Sequence, residues 1–338
     1  MKLRKIKRYL SGIRDIYSSQ TGCHKRELAL LQRYYSTESP RRGISQTEVV
    51  MMVDGRCLHG GLSDRIRGIV NVYSYCRTHC IPFRIHHVYP FNLTDYFEPA
   101  HIDWRIESEE LSYNSNEAYP VVLQAVHLQQ KLHSLYLRQT LKRHKGKQIH
   151  VYSNTVMNDK AFHDNFNHLF QPTPLLQQAI DAVPLKPHSG YVAMVFRFQQ
   201  LLGDFKEGGF STLEGAARQE LIERCLQETD RLYRAHHHGK LLLVTSDSVS
   251  FLETISNRFN YVRIIPGKVV HMDFSTNETT GTYLKSFVDL FLLAGADKIY
   301  LLRTGKMYRS GFGKRAARLG NIPYEEVKPK FKRIMQQE

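Results

Sequence analysis

The chain has one tryptophan, no run of 18 apolar residues, no Asp-x-Asp sequence and no Cys-x-x-Cys pair. Without a long apolar run there is no transmembrane helix, and residues 1–20 lack the apolar core of a secretion signal. The five cysteines, Cys23, Cys57, Cys76, Cys80 and Cys225, are odd in number and irregular in spacing. That pattern reads as free thiols in a reducing compartment, so the protein is expected to be cytoplasmic. Cys76 and Cys80 would share a helical face with His79 nearby, but a second ligand pair is missing, so packing thiols are expected rather than a metal site. With no zinc-finger or RNP signature and a single tryptophan for stacking, nucleic acid is not the expected partner.

What is present supports a folded enzyme. At 338 residues the chain suits two domains of roughly 150 residues, and 42% hydrophobic with 11% aromatic residues can build substantial cores. Lysine and arginine exceed the acids by 47 − 32 = +15, which favours anionic partners: polyanions, lipid headgroups or phosphorylated substrates.

The N-terminus pairs Leu3, Ile6, Leu10, Ile13, Ile16 and Tyr17 at helical spacing with Lys2, Arg4, Lys5, Lys7, Arg8 and Arg14. Such a basic amphipathic helix either lies peripherally on an anionic membrane surface or docks on its own domain. Ser36 to Gln46 reads as a linker, so 1–46 form an extension and the folded body begins near Thr47.

From there strands and helices alternate. Strands are expected at Val49–Asp54, Pro82–Val88 and Gln148–Ser153, with helices at Leu62–Cys80 and Leu128–His144. A polar, proline-containing stretch from Gln171 to Ser189 interrupts the pattern. It resumes with strands at Tyr191–Phe198, Leu241–Thr245, Val262–Ile265 and Lys298–Leu302, and helices at Leu213–His236, Val249–Arg258 and Tyr283–Ala294. Continuous apolar runs such as Leu241-Leu242-Leu243-Val244 suit parallel strands covered on both faces. The expected fold is therefore α/β, two doubly wound Rossmann-type domains at 47–185 and 186–330, with the active site in the cleft between them.

Two places carry anion chemistry. His59-Gly60-Gly61-Leu62-Ser63-Asp64-Arg65 opens a helix after an apolar strand, and a glycine pair lets backbone amides approach an anion. The strand Tyr191 to Phe198 ends on Arg197, whose guanidinium can clamp a diphosphate through two oxygens. Together they suggest a substrate built on a nucleoside diphosphate. Thr245-Ser246-Asp247-Ser248 follows its strand directly and offers Asp247 to a base or ribose; its ordinary use is as the N-cap of the next helix. Ser310, Gly311 and Phe312 precede another helix start able to hold phosphate. Gly311 to Ala316 also fits Gly-x-Gly-x-x-Ala, but with no βαβ unit expected after it a dinucleotide site is not inferred. His236-His237-His238-Gly239 fits a helix C-cap, and Arg138, Lys142, Arg143, Lys145 and Lys147 a solvated helix end.

These segments resemble the GDP-fucose-dependent fucosyltransferase superfamily of α-1,2-, α-1,6- and protein O-fucosyltransferases. The likeness lies in Gly60 to Arg65, Val195 to Phe198, Thr245 to Ser248, and Asp289 to Leu293 through Ser310-Gly311-Phe312 to Ala316, in the family's order across residues 48–325. The resemblance implies a GT-B-like fold with the acceptor mainly on the N-terminal domain and the GDP-sugar on the C-terminal one. It also implies inversion at the sugar carbon, no metal and no cofactor beyond the GDP-fucose or other GDP-sugar donor. Arg197 resembles the arginine that grips the β-phosphate, Asp247 with Ser248 the base or ribose contact, and Ser310, Gly311 and Phe312 the phosphate loop. Gly60, Gly61 and Arg65 fall in the glycine motif counted with the donor site.

One position departs from the pattern: the family usually has histidine two residues before the arginine, and this chain has Val195. This departure implies altered donor choice, weakened activity or a pseudoenzyme. Asp64 is the first candidate for a general base, against a role as a first-turn helix acid; Asp54 is the second, against a turn residue. The expected function is an inverting, metal-independent transferase moving fucose or a related sugar from GDP to a glycan, perhaps lipid-linked. The alternatives are a transferase for another nucleotide sugar and an inactive glycan- or polyanion-binding protein.

Overall fold

The computed structural model describes residues 25–124, 132–204, 211–267, 272–273 and 279–329. The N-terminal amphipathic pattern and Cys23 lie outside them. The chain divides into two compact units, Met1–Leu175 with Met272–Glu278, and Leu176–His271 with Thr279–Glu338.

Unit 1 is built on the apolar run predicted to be its first strand. Strand β1 (Glu48–Val53) is buried along its whole length, as a parallel strand covered on both faces must be. It pairs with β2 (Phe83–His87) on one side and β5 (Gln148–Ser153) on the other, and β4 (Ala118–Leu123) closes the order β2-β1-β5-β4, all parallel. Helix α2 (Leu62–Thr78) crosses from β1 to β2. It lies so close to the sheet that a Cβ on Gly68 would stand 2.0 Å from the Ser153 carbonyl oxygen. Helix α3 (His133–Arg143) connects β4 to β5.

Several elements went unread in the sequence. Strand β4 contains Pro120, which argues against a central strand. As the last strand in the order it tolerates proline: the Glu117 carbonyl accepts from Gln148 N–H, so Pro120, three residues on, turns its missing N–H away from β5. Helix α1 (Lys25–Gln32) buries Leu28 and Leu31 against Val50, Met52, Val122 and Tyr152. The stretch expected as a linker is fastened to this unit. Glu117 accepts from the amides of Arg42 (2.7 Å) and Gly43 (3.1 Å), and Asn114 donates to the carbonyls of Thr37 (3.0 Å) and Ser39 (2.7 Å). Further on, α4 (Phe162–Leu169) precedes β6 (Phe170–Pro172), which pairs antiparallel with β3 (Phe97–Pro99). Helix α5 (Pro174–Asp181) occupies part of the stretch expected to interrupt the pattern; its proline sits at the first helical position, where no N–H is needed.

Unit 2 has a parallel sheet in the order β11-β10-β7-β8-β9. The strands are β7 (Val192–Phe196), β8 (Leu242–Ser246), β9 (Val262–Ile264), β10 (Ile299–Leu302) and β11 (Tyr324–Val327). Numbered within the unit this is 5-4-1-2-3, the Rossmann order, with its reversal between β7 and β10. Helices α6 (Gly215–His236) and α7 (Val249–Arg258) share a core with Val192, Met194, Phe196, Leu242 and Val244. Helix α8 (Thr280–Ala294) packs with α9 (Phe312–Gly320), and Gly313 of α9 lies against Val195 and Ile299. Strand β11 completes an unexpected βαβ unit through α9, because Tyr-Glu-Glu-Val is too charged to signal a strand. The α/β, GT-B-like expectation is met by two Rossmann-type parallel sheets in one chain.

Candidate functional site

In an open parallel sheet, ligands bind beyond the carboxyl ends of the strands at the reversal of strand order. In unit 2 that point lies between β7 and β10. Arg197 follows β7 directly, and the segment Thr304 to Gly311 leads from β10 into α9. The two are joined by Tyr308 N–H donating to the Arg197 carbonyl (3.1 Å).

Arg197 keeps its side chain 18% exposed and pairs through Nη1 with Asp247 Oδ2 at 3.3 Å. The Asp247 carboxylate is buried and also accepts from the amides of Phe198 (2.8 Å) and Gln199 (2.6 Å). Burial pushes this carboxyl up from its ordinary value, against the pull of Arg197 and the two amides. Gln199 stands at φ +54°, a left-handed conformation unfavourable for a side chain of this kind, and Asp247 holds it there. Asp247, predicted as a base or ribose contact, thus fixes the turn that carries Arg197. Phe198 anchors the other side of that turn, buried with its ring 4.8 Å from Phe251 and stacked on Phe196.

Ser248 is the N-cap of α7: its hydroxyl accepts from Phe251 N–H at 3.2 Å and donates to Asp204 Oδ2 at 2.5 Å. Asp204 also receives the Ser250 amide (2.9 Å) and hydroxyl (2.7 Å). Burial opposes the Asp204 anion, yet the donors from Ser248 and Ser250, with Arg218 nearby, hold its carboxyl below the usual value. The capping use of this turn is therefore real, and the acid that completes it lies 44 to 46 residues away, invisible to local pattern.

At α9, Ser310 Oγ accepts from Phe312 N–H at 3.2 Å, and the N-cap Gly311 supplies no side chain. The first turn has no acidic residue. Its end therefore carries the positive pole of the helix dipole. Val195 is buried, 2.9 Å from where a Gly313 Cβ would stand, so it fills space under this helix start. Thr245 is its register partner on β8, and the Thr245 hydroxyl is buried with no hydrogen-bond partner among the described residues.

The glycine motif lies in unit 1. Gly60 has φ +83°, and a Cβ there would meet Asp64 Oδ2 at 2.6 Å. Gly61 is the N-cap of α2. Arg65 is fully buried and braces this turn: Nε donates to the Gly60 carbonyl (3.0 Å), Nη1 to the Tyr89 carbonyl (3.0 Å) and Nη2 to Asp273 Oδ1 (2.6 Å). Asp273 in turn accepts the Gly60 amide at 2.7 Å. The residue proposed to meet the donor is thus committed to the glycine turn, and its acidic partner comes from 208 positions later in the chain. Asp64 is 35% exposed and pairs with Arg67 at 2.8 Å. Asp54 is buried, receives the Tyr152 hydroxyl at 2.9 Å and pairs with Arg56, whose guanidinium lies between the rings of Tyr34 and Tyr113. His59 is buried as well; burial, then Arg65, lowers its pKa to about 4.

No protein-family model and no curated protein matches the sequence. Solved structures do. NodZ α-1,6-fucosyltransferase soaked with GDP-fucose is 13% identical, with a TM-score of 0.52 over 81% of this chain and 92% of that one. The same enzyme co-crystallised with GDP gives 12%, 0.51, 80% and 91%, and selenomethionine NodZ from Bradyrhizobium 13%, 0.50, 80% and 91%. At such identities the likeness is one of fold.

Proposed function

We propose that this chain is a glycosyltransferase that moves fucose, or a related sugar, from a GDP-sugar to a glycan acceptor, inverting the sugar carbon without a metal ion. One observation carries the reading: Arg197, braced by Asp247, follows β7 at the reversal of strand order, and its carbonyl is bonded by Tyr308 in the segment that leads into α9. The similar NodZ structures were obtained with GDP-fucose or GDP. As the bond from the sugar carbon to the β-phosphate oxygen breaks, negative charge grows on the departing diphosphate. A fixed guanidinium and a positive helix end are stronger partners for that charge than for the intact donor, which is how they lower the barrier. Ser310, Gly311 and Phe312 form the phosphate loop in this reading. Asp64 is the better of the two carboxylates to take the proton from the acceptor hydroxyl, because Asp54 is buried and already bound by Tyr152 and Arg56. The basic N-terminal pattern would suit an acceptor presented at an anionic membrane face.

A second reading, a protein that binds sugar nucleotides or glycans without transfer, draws on Val195, whose packing under α9 leaves an aliphatic group where the family has an imidazole.

Thermal stabilisation by GDP, GDP-fucose, GDP-mannose, UDP and UDP-sugars tests the donor assignment, since a ligand of the native state raises its stability by mass action. A GDP-selective shift that disappears in Arg197→Ala, with transfer abolished and the unliganded fold intact, is expected. Undiminished turnover in Arg197→Ala refutes the mechanism, and a nucleotide shift without turnover on any glycan moves the assignment to the second reading.

A further inference from the structure

Strands β1, β4 and β5 of unit 1 run parallel, and their first residues are register neighbours: Glu48 faces Gln148, and Gln148 faces Ala118. Neighbouring strands are about 4.8 Å apart, so the segments that lead into these three, 38–47, 114–117 and 142–147, meet at one edge of the sheet. Hydrogen bonds fasten them together. Gly146 N–H donates to the Thr47 hydroxyl (2.7 Å) and Lys147 Nζ to the Ser115 carbonyl (2.7 Å), while Glu117 accepts the amides of Arg42 and Gly43. The edge is a fixed surface assembled from distant parts of the chain.

That surface has one prevailing sign. It carries six cations, Arg41, Arg42, Lys142, Arg143, Lys145 and Lys147, against two carboxylates, Glu38 and Glu117. All the cations but Lys147 are exposed. Glu117 is buried and spends its oxygens on the two amides and the Ser112 hydroxyl, and Glu48 at the strand start is buried against Gln148. Among the described residues, the side chains of Arg41, Arg42, Lys142 and Lys145 are in no ion pair. His144 feels the field: burial, then Lys147 and Arg143, lowers its pKa to about 4. The end of α3 attracts cations through its dipole, which accounts for Lys142 and Arg143 but not for Arg41, Arg42, Lys145 and Lys147.

We propose that this edge of unit 1 docks on an anionic lipid bilayer. Exposed cations spread over two separate segments suit a surface of many headgroups rather than one small anion. The Tyr119 and His144 rings stack on each other at 3.7 Å, each giving up a face that a nucleic-acid base would use. Stable attachment to a bilayer takes two signals, and the basic amphipathic pattern at the N-terminus of the sequence supplies the second.

The docking fixes an orientation. Strand β1 has six residues at about 3.3 Å each, so the glycine turn lies about 20 Å away at the opposite edge and faces away from the lipid. An acceptor carried by the membrane has to reach about that far. The proposal does not rest on the donor assignment, because none of these residues takes part in it.

Flotation of the full chain with vesicles of phosphatidylcholine alone, and of phosphatidylcholine with phosphatidylserine, tests this. Binding is expected only where phosphatidylserine is present and should fall steeply as salt screens the charges. One cation near such a surface contributes about fivefold in partition. The pair Arg41→Gln and Lys145→Gln should therefore weaken partition about tenfold or more, with the melting temperature and the response to GDP unchanged. The pair Arg258→Gln and Arg263→Gln removes the same charge from exposed positions of unit 2 and should leave binding nearly unchanged. No binding to phosphatidylserine vesicles, or an equal loss in the two pairs, overturns the proposal. Binding of a single-stranded oligonucleotide that survives the salt releasing the vesicles, and is lost in the Arg41 and Lys145 pair, assigns this face to nucleic acid and overturns it too.

Discussion

Replacing Asp247 with asparagine changes one oxygen to an NH2 and removes a charge, with almost no change in shape. In the native turn Oδ1 accepts the Phe198 amide and Oδ2 accepts both the Gln199 amide and Arg197. Asparagine can satisfy one of these amides; its NH2 then confronts the other donor, which has no water to turn to. Hydrogen bonds to a charged group contribute about 1.5–3 kcal/mol, and one is lost outright. The Arg197 contact at 3.3 Å is partly exposed and adds little. The expected loss is about 2–3 kcal/mol, or roughly 5–10 °C in Tm for a domain of this size. Urea unfolding followed by tryptophan-independent far-UV signal and a thermal scan would read it. The same variant should blunt the GDP-induced shift, because the turn no longer aims Arg197. Part of Asp247's work is holding Gln199 at positive φ, so Gln199→Gly should return about 1 kcal/mol in the double variant but not alter the wild type by as much. A stability change under about 1 kcal/mol together with an intact GDP response would refute this account of the turn.

Two further outcomes can be stated. Gly68→Ala sets a methyl 2.0 Å from a backbone oxygen that cannot move without shifting β5, so it should cost more than the 1–3 kcal/mol typical of overpacking, measured by urea midpoint; a loss below 1 kcal/mol would contradict the close helix–sheet contact. Acid should also destabilise unit 1. Burial, then Arg65, lowers His59 to about 4, and burial, then His86 and Arg56, lowers His150 to about 3. With both folded values below the ordinary 6.5, the unfolded chain takes up protons first, so stability is complete above about pH 6.5 and falls as pH drops toward the folded values. The pair should remove about 2.7 kcal/mol per pH unit across that window. Denaturant titrations from pH 7.5 to 4.5, repeated with His150→Gln, check the slope, which should be shallower in the variant.

Much of the scaffold was written in local pattern. The helix Val249–Arg258 and the strand Gln148–Ser153 match expectation to the residue, because a capping serine opens one and buried β-branched and aromatic residues fill the other. Strand β4 was hidden by Pro120, whose acceptability depends on lying at the sheet edge, and sheet order is not a local property. Residues 36–46 looked like a linker because their fastening comes from Asn114 and Glu117, with no apolar signal of its own. At the site, Arg197 and Asp247 were each singled out, but their pairing was not, since it depends on the register of β7 with β8. Arg65 falls in the glycine motif counted with the donor site; only the fold reveals Asp273 beside it. Asp204 carried no signal beyond being an acid in a loop.

The placement of Pro120 bears on how this protein survives its own synthesis. Parallel sheets form slowly, and while they form their outer strands can recruit a neighbouring chain. In unit 1, Pro120 removes the central outward amide on one flank, and on the other flank Ile85 N–H is taken by the Trp104 carbonyl at 2.6 Å in a bridge of Ile85 with Arg105. In unit 2 the flanking strands are short, β9 with three residues and β11 with four that include two glutamates. Among the described residues neither sheet thus offers a long, open ladder to another molecule, so the folded protein should resist edge-to-edge association. Restoring an amide with Pro120→Val would open one flank and give that association a starting point.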